Sequence, residues 1–270
     1  MLLHVLLLKN TDTFMLKNLR SHLYFLLVFS ILTACSPHAL ITKVESGVIP
    51  LDSVSVIKED TSALRIIKPF SEKMDSEMNE VLAYSDQAII KGTPESLLNN
   101  FVSDLLLKKA NDFYQPIDKS KIDFCLLNNG GLRQALPKGA ITLGKVYELM
   151  PFENNLVVLT LTGEKTKQIF DYIAKIGGEP ISGFTMGIKD TLAVNITING
   201  KPFDISRNYK VITSDYLANG GDKMKFLNDP VKREDIGVKV RDAIIIYMKE
   251  ENKKRNTLKA KLDKRIYYEK

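Results

Sequence analysis

Residues 124–133 read Phe-Cys-Leu-Leu-Asn-Asn-Gly-Gly-Leu-Arg. The apolar first half is typical of a buried strand, and the glycine pair that follows predicts a tight turn. Polar side chains beside such a turn can direct hydrogen bonds toward a ligand, because glycine lets the main chain come close to it. This stretch therefore predicts a buried strand that runs into a binding loop.

Two further stretches have the same chemistry. Residues 150–155 read Met-Pro-Phe-Glu-Asn-Asn, and residues 214–222 read Ser-Asp-Tyr-Leu-Ala-Asn-Gly-Gly-Asp. Each stretch places polar or aromatic groups beside residues that break regular structure. Three such loops in one chain predict one shared site. Taken singly, they also fit ordinary turns, a core aromatic and a surface arginine.

Regular elements surround the three loops. Hydrophobic spacing predicts helices over residues 60–80, 93–113, 142–149, 163–175 and 232–251. Strands are predicted over residues 81–91, 124–127, 155–161, 184–188, 193–198, 209–215 and 263–268. In the first helix, the residues predicted to be core are Leu64, Ile67, Phe70, Met74 and Met78. The pattern predicts an α+β fold, with mixed sheets and packed helices, in a single domain over residues 57–270.

The N-terminal segment has the features of an export signal. Lys17 and Arg20 precede an apolar run over residues 23–29, and Leu-Thr-Ala-Cys at residues 32–35 resembles the bacterial lipoprotein cleavage site. The apolar run is too short for a stable bilayer span. We therefore expect residues 1–34 to be a lipoprotein-type signal peptide. A signal-anchor helix is the alternative.

Cys35 would then carry the lipid, and residues 35–56 would tether the domain to the bacterial cell envelope, at the outer membrane or the periplasmic face. The second of the two cysteines, Cys125, lies in the predicted buried strand, which favours a small apolar filler over a nucleophile. The net charge of +6 is mild, and the basic residues do not interleave with aromatic ones. No nucleic-acid partner is expected.

Taken in order, the three loops resemble the C-terminal, substrate-binding domain of the 5′-nucleotidase and UDP-sugar hydrolase family. The resemblance runs from about residue 70 to the end of the chain and includes Ile-Ser-Gly at residues 181–183. It implies the fold of that domain and a nucleoside or nucleotide ligand, here on a stand-alone bacterial lipoprotein. The chain departs from the family at residues 91–94, Lys-Gly-Thr-Pro, where the family carries an arginine cluster.

The resemblance also implies roles for individual residues, which their chemistry supports. A purine is a flat π-system, so two aromatic rings can hold it by stacking, and Phe152 and Tyr216 are the predicted pair. Tyr216 stands where the family normally has Phe. Arg133 offers a planar fork to phosphate or ribose oxygens, and Asp222 can accept hydrogen bonds from sugar hydroxyls. The other predicted site residues are Asn128 and Asn154, for the base edge, and Gly131 and Gly183, for close backbone approach.

The family hydrolyses phosphate esters in a separate N-terminal domain that uses two metal ions. The three histidines here, His4, His22 and His38, lie in or beside the predicted signal peptide, so this chain is predicted to contain no catalytic residue, metal ligand or cofactor. The resemblance implies a substrate-binding half that works with a separately encoded metallophosphoesterase, whose divalent metals are its own. The alternatives are a purine nucleoside-binding lipoprotein for scavenging or sensing, and a structural surface lipoprotein with a decayed site.

Overall fold

The computed structural model describes residues 41, 43–47, 59–116 and 119–270. The helices and strands given below lie in one compact unit, Asp60–Lys270. The predicted signal peptide, Cys35 and most of the predicted tether lie outside the described residues. Within the described ranges, no helix has the length and hydropathy that a bilayer-spanning helix needs.

The unit combines helices with mixed sheets, which confirms the predicted α+β class. Its helices are α1 (Thr61–Met78), α2 (Leu97–Phe113), α3 (Leu143–Leu149), α4 (Gly163–Ile176), α5 (Asp215–Ala218) and α6 (Val240–Lys253). Its strands are β1 (Val81–Ser85), β2 (Phe124–Leu126), β3 (Gly139–Thr142), β4 (Asn155–Leu161), β5 (Ile181–Ser182), β6 (Phe184–Lys189), β7 (Leu192–Ile198), β8 (Lys201–Pro202), β9 (Tyr209–Ser214), β10 (Lys232–Lys239) and β11 (Ile266–Tyr268). Short 3-10 turns cover Asn129–Gly131, Gly221–Lys223 and Lys225–Leu227.

A five-stranded sheet in the order β10-β4-β9-β2-β5 forms the centre of the unit. β4 and β9 pair antiparallel from Leu156↔Ser214 to Leu161↔Tyr209, and β2 runs parallel to β9. A second sheet pairs β1 with β3, and a third has the order β11-β6-β7-β8. The ends of β2 and β9 therefore lie at the same edge of the central sheet as the start of β4.

Alternate side chains of the central sheet enter two hydrophobic cores. Leu156 and Val158 of β4 pack in one core with residues of β1, α2, α3 and α6. Val157 and Leu159 pack in the other core with residues of α4, β6 and β7. Because successive strand residues point to opposite faces, a continuous apolar run can build both cores at once.

Helix α1 forms where it was predicted, but the prediction that its apolar stripe belongs to the core is wrong. None of its residues is buried, and Leu64, Ile67, Phe70 and Met74 are between 44% and 73% exposed. The last turn of α1 contacts α3, where Gly144 lies against the Met78 carbonyl. Helical spacing identifies an amphipathic face, but it does not say whether another element covers that face.

The helix predicted over residues 232–251 is also wrong in its first half, which forms strand β10. This segment pairs antiparallel with β4, and its Ile236 and Val238 pack against the core that contains α6. The exposed edge of β4 supplies hydrogen bonds that outweigh the helix propensity of the Lys and Glu residues. The strand predicted over residues 81–91 is shorter than expected and ends at Ser85.

The exposed position of α1 predicts that substitutions in its apolar face change the free energy of unfolding little. Phe70→Ala is expected to change the free energy of unfolding by no more than about 0.5 kcal/mol, because its ring buries little surface. The matched control is Phe101→Ala in α2, whose ring is 5% exposed, and it is expected to cost about 3–5 kcal/mol. Urea denaturation of the purified protein measures both variants. A loss at Phe70 as large as that at Phe101 would contradict the exposed position of α1.

Candidate functional site

The three predicted loops meet at one edge of the central sheet. Asn128 follows β2, Phe152 precedes β4, and Tyr216 follows β9, so all three residues leave the sheet on the same side. Asn155 Nδ2 and Asp215 Oδ2, which lie 3.5 Å apart, link the second loop to the third. The order of the strands brings together loops that are far apart in the sequence.

Asp222 joins the first loop to the third. Its Oδ2 accepts a hydrogen bond from Asn128 Nδ2 at 2.5 Å, and its Oδ1 accepts one from the Tyr216 hydroxyl at 2.8 Å. The Asp222 carbonyl accepts a further hydrogen bond from the Tyr172 hydroxyl at 2.8 Å. A carboxylate has about four lone-pair positions, so Asp222 keeps acceptor capacity for ligand hydroxyls.

The Tyr216 ring is 44% exposed and lies against Gly221. A Cβ atom at Gly221 would lie 2.5 Å from Tyr216 Cε1, so a larger residue there would displace the ring. The Tyr216 hydroxyl donates to Asp222 and also accepts from the Asp222 backbone N–H at 3.2 Å. The hydrogen bond to the carboxylate raises the pKa of Tyr216. The hydroxyl therefore fixes the ring within its own loop.

The second predicted ring, Phe152, is 40% exposed, and Arg241 holds its loop from behind. Arg241 is 4% exposed, and its Nη1 donates to the carbonyls of Met150 and Phe152 at 3.3 and 3.4 Å. The guanidinium carbon lies 4.1 Å from the centroid of the Tyr147 ring, and Arg241 also pairs with Glu153. Arg241 could not be predicted from the sequence, because a lone arginine at the start of a helix has no distinguishing pattern.

Asn129 anchors the first loop, although the sequence analysis singled out its neighbour. The Asn129 N–H donates to Glu179 Oε2 at 2.6 Å, and its Nδ2 donates to the Gly178 carbonyl at 3.0 Å. Its Oδ1 accepts from Asn99 Nδ2 at 2.9 Å, and its carbonyl accepts from Lys91 Nζ at 3.0 Å. All four polar groups of Asn129 are therefore engaged, which holds the turn Asn129–Gly131 in place.

Two cations lie beside this turn. Lys91 belongs to the segment where the resemblance implies arginines, and its Nζ also contacts the Leu132 carbonyl at 2.5 Å. Lys91 thus bridges the Asn129 and Leu132 carbonyls of the loop. Arg133 is exposed, and its Nη1 lies 3.5 Å from the Gly130 carbonyl. The Arg133 guanidinium can therefore reach an anionic or hydroxyl-bearing ligand.

Gly131 and Asn154 lie in the loops at this edge. A Cβ atom at Gly131 would lie 2.8 Å from Asn128 Oδ1, so the glycine makes room for the side chain that binds Asp222. Asn154 is partly exposed, and its carbonyl accepts a hydrogen bond from the Val240 N–H at 2.9 Å. Asn154 belongs to the same loop as Phe152, and its role at the base edge stays a prediction.

Gly183 lies apart from the other predicted site residues. It follows β5 and has a φ of +93°, and a Cβ atom there would lie 2.5 Å from the Asp123 carbonyl. Asp123 precedes β2, whereas Asn128 follows it, so Gly183 sits at the opposite end of that strand. Close packing against Asp123 is sufficient to explain the glycine, and the predicted approach to a ligand stays a prediction.

Glu179 is a buried carboxyl group behind the first loop, and sequence analysis missed it because Gly-Gly-Glu-Pro at residues 177–180 has the composition of a turn. Its side chain is 5% exposed. Burial raises the pKa of Glu179 to about 7, against the opposing effect of the hydrogen bond from the Asn129 N–H. The negative charge of Asp222 raises this pKa further, and Lys91 lowers it.

The chemistry of this edge is that of recognition. It combines two exposed rings, a carboxylate with spare acceptor capacity and an exposed guanidinium, which suit a flat molecule that bears hydroxyl or phosphate oxygens. Cys125 is fully buried in β2, as predicted, and burial raises the pKa of its thiol far above the ordinary value. Within the described residues, no three His, Cys, Asp or Glu side chains cluster as metal ligands.

A family model and the sequence relatives indicate the same family. Residues 81–229 match the family model described as the 5′-nucleotidase C-terminal domain. The chain is 26% identical to the 5′-nucleotidase of Vibrio vulnificus, over 62% of this chain and 30% of the relative. It is 29% identical to the trifunctional nucleotide phosphoesterase protein YfkN of Bacillus subtilis, over 71% of this chain and 14% of the relative.

A solved structure agrees with the sequence relatives. The 5′-nucleotidase precursor from Thermus thermophilus aligns with a TM-score of 0.66 and 26% identity, over 78% of this chain and 43% of that one. The chain thus spans less than half the length of these relatives. The family match covers more than half of the chain and includes four of the five strands of the central sheet and its three loops. The chain therefore belongs to the family of 5′-nucleotidase C-terminal domains.

Proposed function

We propose that this chain binds nucleosides or nucleotides as the substrate-binding part of a 5′-nucleotidase-type phosphohydrolase system, with the base held between Phe152 and Tyr216. The observation that carries the proposal is the hydrogen-bond network of Asp222, which orders Tyr216 and the first loop at the edge where both rings are exposed. Membership of the family supports the class of ligand.

Each residue at this edge can bind a different part of the ligand. Each ring that stacks on a base contributes about 1–3 kcal/mol, by analogy with aromatic residues in nucleic-acid-binding proteins. The unused lone pairs of Asp222 suit ribose hydroxyls, because a carboxylate accepts hydrogen bonds and donates none. The exposed guanidinium of Arg133 suits ribose or phosphate oxygens. Asn154 can offer both a donor and an acceptor to the base edge.

We further propose that a metallophosphoesterase on a separate polypeptide performs the hydrolysis with its own pair of divalent metal ions. In the named phosphohydrolases the part that matches this chain is accompanied by further sequence, and the proposal assigns the hydrolysis to a counterpart of that further sequence. The signal sequence, proposed from the sequence, would direct export and be removed, and the lipid proposed on Cys35 would then hold the complex at the cell envelope. In the alternative role, scavenging or sensing, the chain would use the same binding site, but no bound ligand would be hydrolysed to release phosphate.

The aromatic clamp predicts a graded loss of affinity at Tyr216. Tyr216→Ala is expected to weaken adenosine binding by about 1–3 kcal/mol through the loss of stacking. Tyr216→Phe keeps the ring but removes the hydrogen bonds with Asp222, so a smaller loss of about 0.5–1.5 kcal/mol is expected. Calorimetric titration measures both, with Tyr84→Ala, an exposed tyrosine on β1, as the control. Unchanged affinity in Tyr216→Ala would remove this ring from the site.

The assignment of hydrolysis to a partner predicts that the purified chain alone releases no phosphate from AMP, even with added Mn²⁺ or Zn²⁺. A colorimetric phosphate assay tests this, with the 5′-nucleotidase of Vibrio vulnificus as the positive control. Phosphate release by the chain that falls in parallel with adenosine affinity in Tyr216→Ala would contradict the proposed division of labour. The parallel loss would show that the activity belongs to this site and not to a contaminant.

A further inference from the structure

Glu179 stands out because the proposed binding roles leave it unused. Its carboxyl group is buried behind the first loop and accepts the Asn129 N–H at 2.6 Å. The next residue toward the N-terminus, Asn128, donates to Asp222 at 2.5 Å. Two carboxyl groups therefore hold adjacent residues of one loop, and only Asp222 has a role in the proposed binding of the ligand.

We propose that Glu179 is a positioning residue, whose ionised carboxylate sets the conformation of the turn Asn129–Gly131 and thereby the affinity of the site for its nucleoside. This inference rests on the proposed function. Glu179 acts through the backbone of Asn129 and does not itself touch the ligand. Its effect reaches the ligand because Asn128, beside that bond, orients Asp222.

The charged and titratable groups around Glu179 come from three parts of the fold. Asp222 in the third loop adds a like charge, Lys91 before α2 adds an opposite one, and the Tyr172 phenol lies on α4. Burial raises the pKa of Glu179 to about 7, so the carboxyl group is partly protonated at neutral pH. An ionised acceptor makes a hydrogen bond roughly twice as strong as a neutral one. A nucleoside that orders the loop should strengthen the hydrogen bond from the Asn129 N–H to Glu179. Binding should therefore favour the ionised form of Glu179 and release its proton.

The sequence makes this proton easy to assign. The three histidines of the chain, His4, His22 and His38, all precede the compact unit Asp60–Lys270. That unit therefore lacks the side chain whose ordinary pKa lies near neutrality. Adenosine itself carries no group that titrates near pH 7. A proton released near this pH on adenosine binding thus points to Glu179.

The test is calorimetric titration of the full chain with adenosine at pH 6, 7 and 8, in buffers of different ionisation enthalpy. Below the pKa of Glu179 the affinity of the parent protein should fall, by up to about tenfold between pH 8 and pH 6. About half a proton per adenosine should be released at pH 7. Adenosine binding whose affinity is flat with pH and that releases no proton would overturn the role of Glu179.

Two variants separate positioning from general stability. In Glu179→Gln the amide oxygen can still accept the Asn129 N–H but cannot titrate, so the pH dependence of affinity and the proton release should both disappear. The control, Glu164→Gln, removes an exposed carboxylate at the start of α4 and should retain both. Proton release that persists in Glu179→Gln would overturn the proposal. If the parent protein binds no adenosine at pH 8, both the proposed function and the role of Glu179 fail.

Unfolding gives a second measurement that needs no ligand. The folded-state pKa of Glu179, about 7, lies above the ordinary value of 4.5, so the folded chain retains a proton that the unfolded chain releases between these values. The urea midpoint of the parent should therefore fall as pH rises from about 4.5 to 7, relative to Glu179→Gln. Parallel midpoints in the two proteins would contradict the buried, titrating carboxyl group on which the proposal stands.

Discussion

The pairing of β2, β4 and β9 is the constraint on which the rest of the structure depends. Because β2 runs parallel to β9 and β4 runs antiparallel to it, two strand ends and one strand start meet at a single edge. The alternation of side chains along these strands fills a core on each face of the sheet, which fixes the pairing register. A slip by one residue would exchange the two faces and move every loop at that edge.

Hydrogen bonds to carboxyl groups then order the loops that this pairing brings together. Asp222 holds Asn128 and Tyr216, while Glu179 holds the backbone of Asn129. Hydrogen bonds to charged groups contribute about 1.5–3 kcal/mol each, more than neutral ones, and they are directional. The proposed ligand surface is therefore preorganised by residues that lie mostly behind it, and Arg241 does the same for the Phe152 loop.

Most residues of the candidate site lie in motifs that the sequence reveals, whereas the residues that support them do not. Asn128, Phe152, Tyr216 and Asp222 lie in motifs that combine breakers with polar or aromatic groups, and those motifs are readable along the chain. Asn129, Glu179 and Arg241 act through contacts with residues far away in sequence, so no local pattern marks them. Gly183 shows the converse case, because a glycine motif looks the same whether a ligand or the Asp123 carbonyl fills the space beside it.

The sequence by itself determined the class of fold, the buried strands and the order of the three loops, because turn residues and hydrophobic periodicity act locally. Only the tertiary structure decided that the apolar face of α1 stays exposed and that residues 232–239 form a strand. Both outcomes depend on which neighbour is present: no element covers most of α1 within the described chain, whereas the edge of β4 offers unpaired backbone groups to β10. Burial and strand pairing are properties of pairs of segments, and a single segment does not encode its partner.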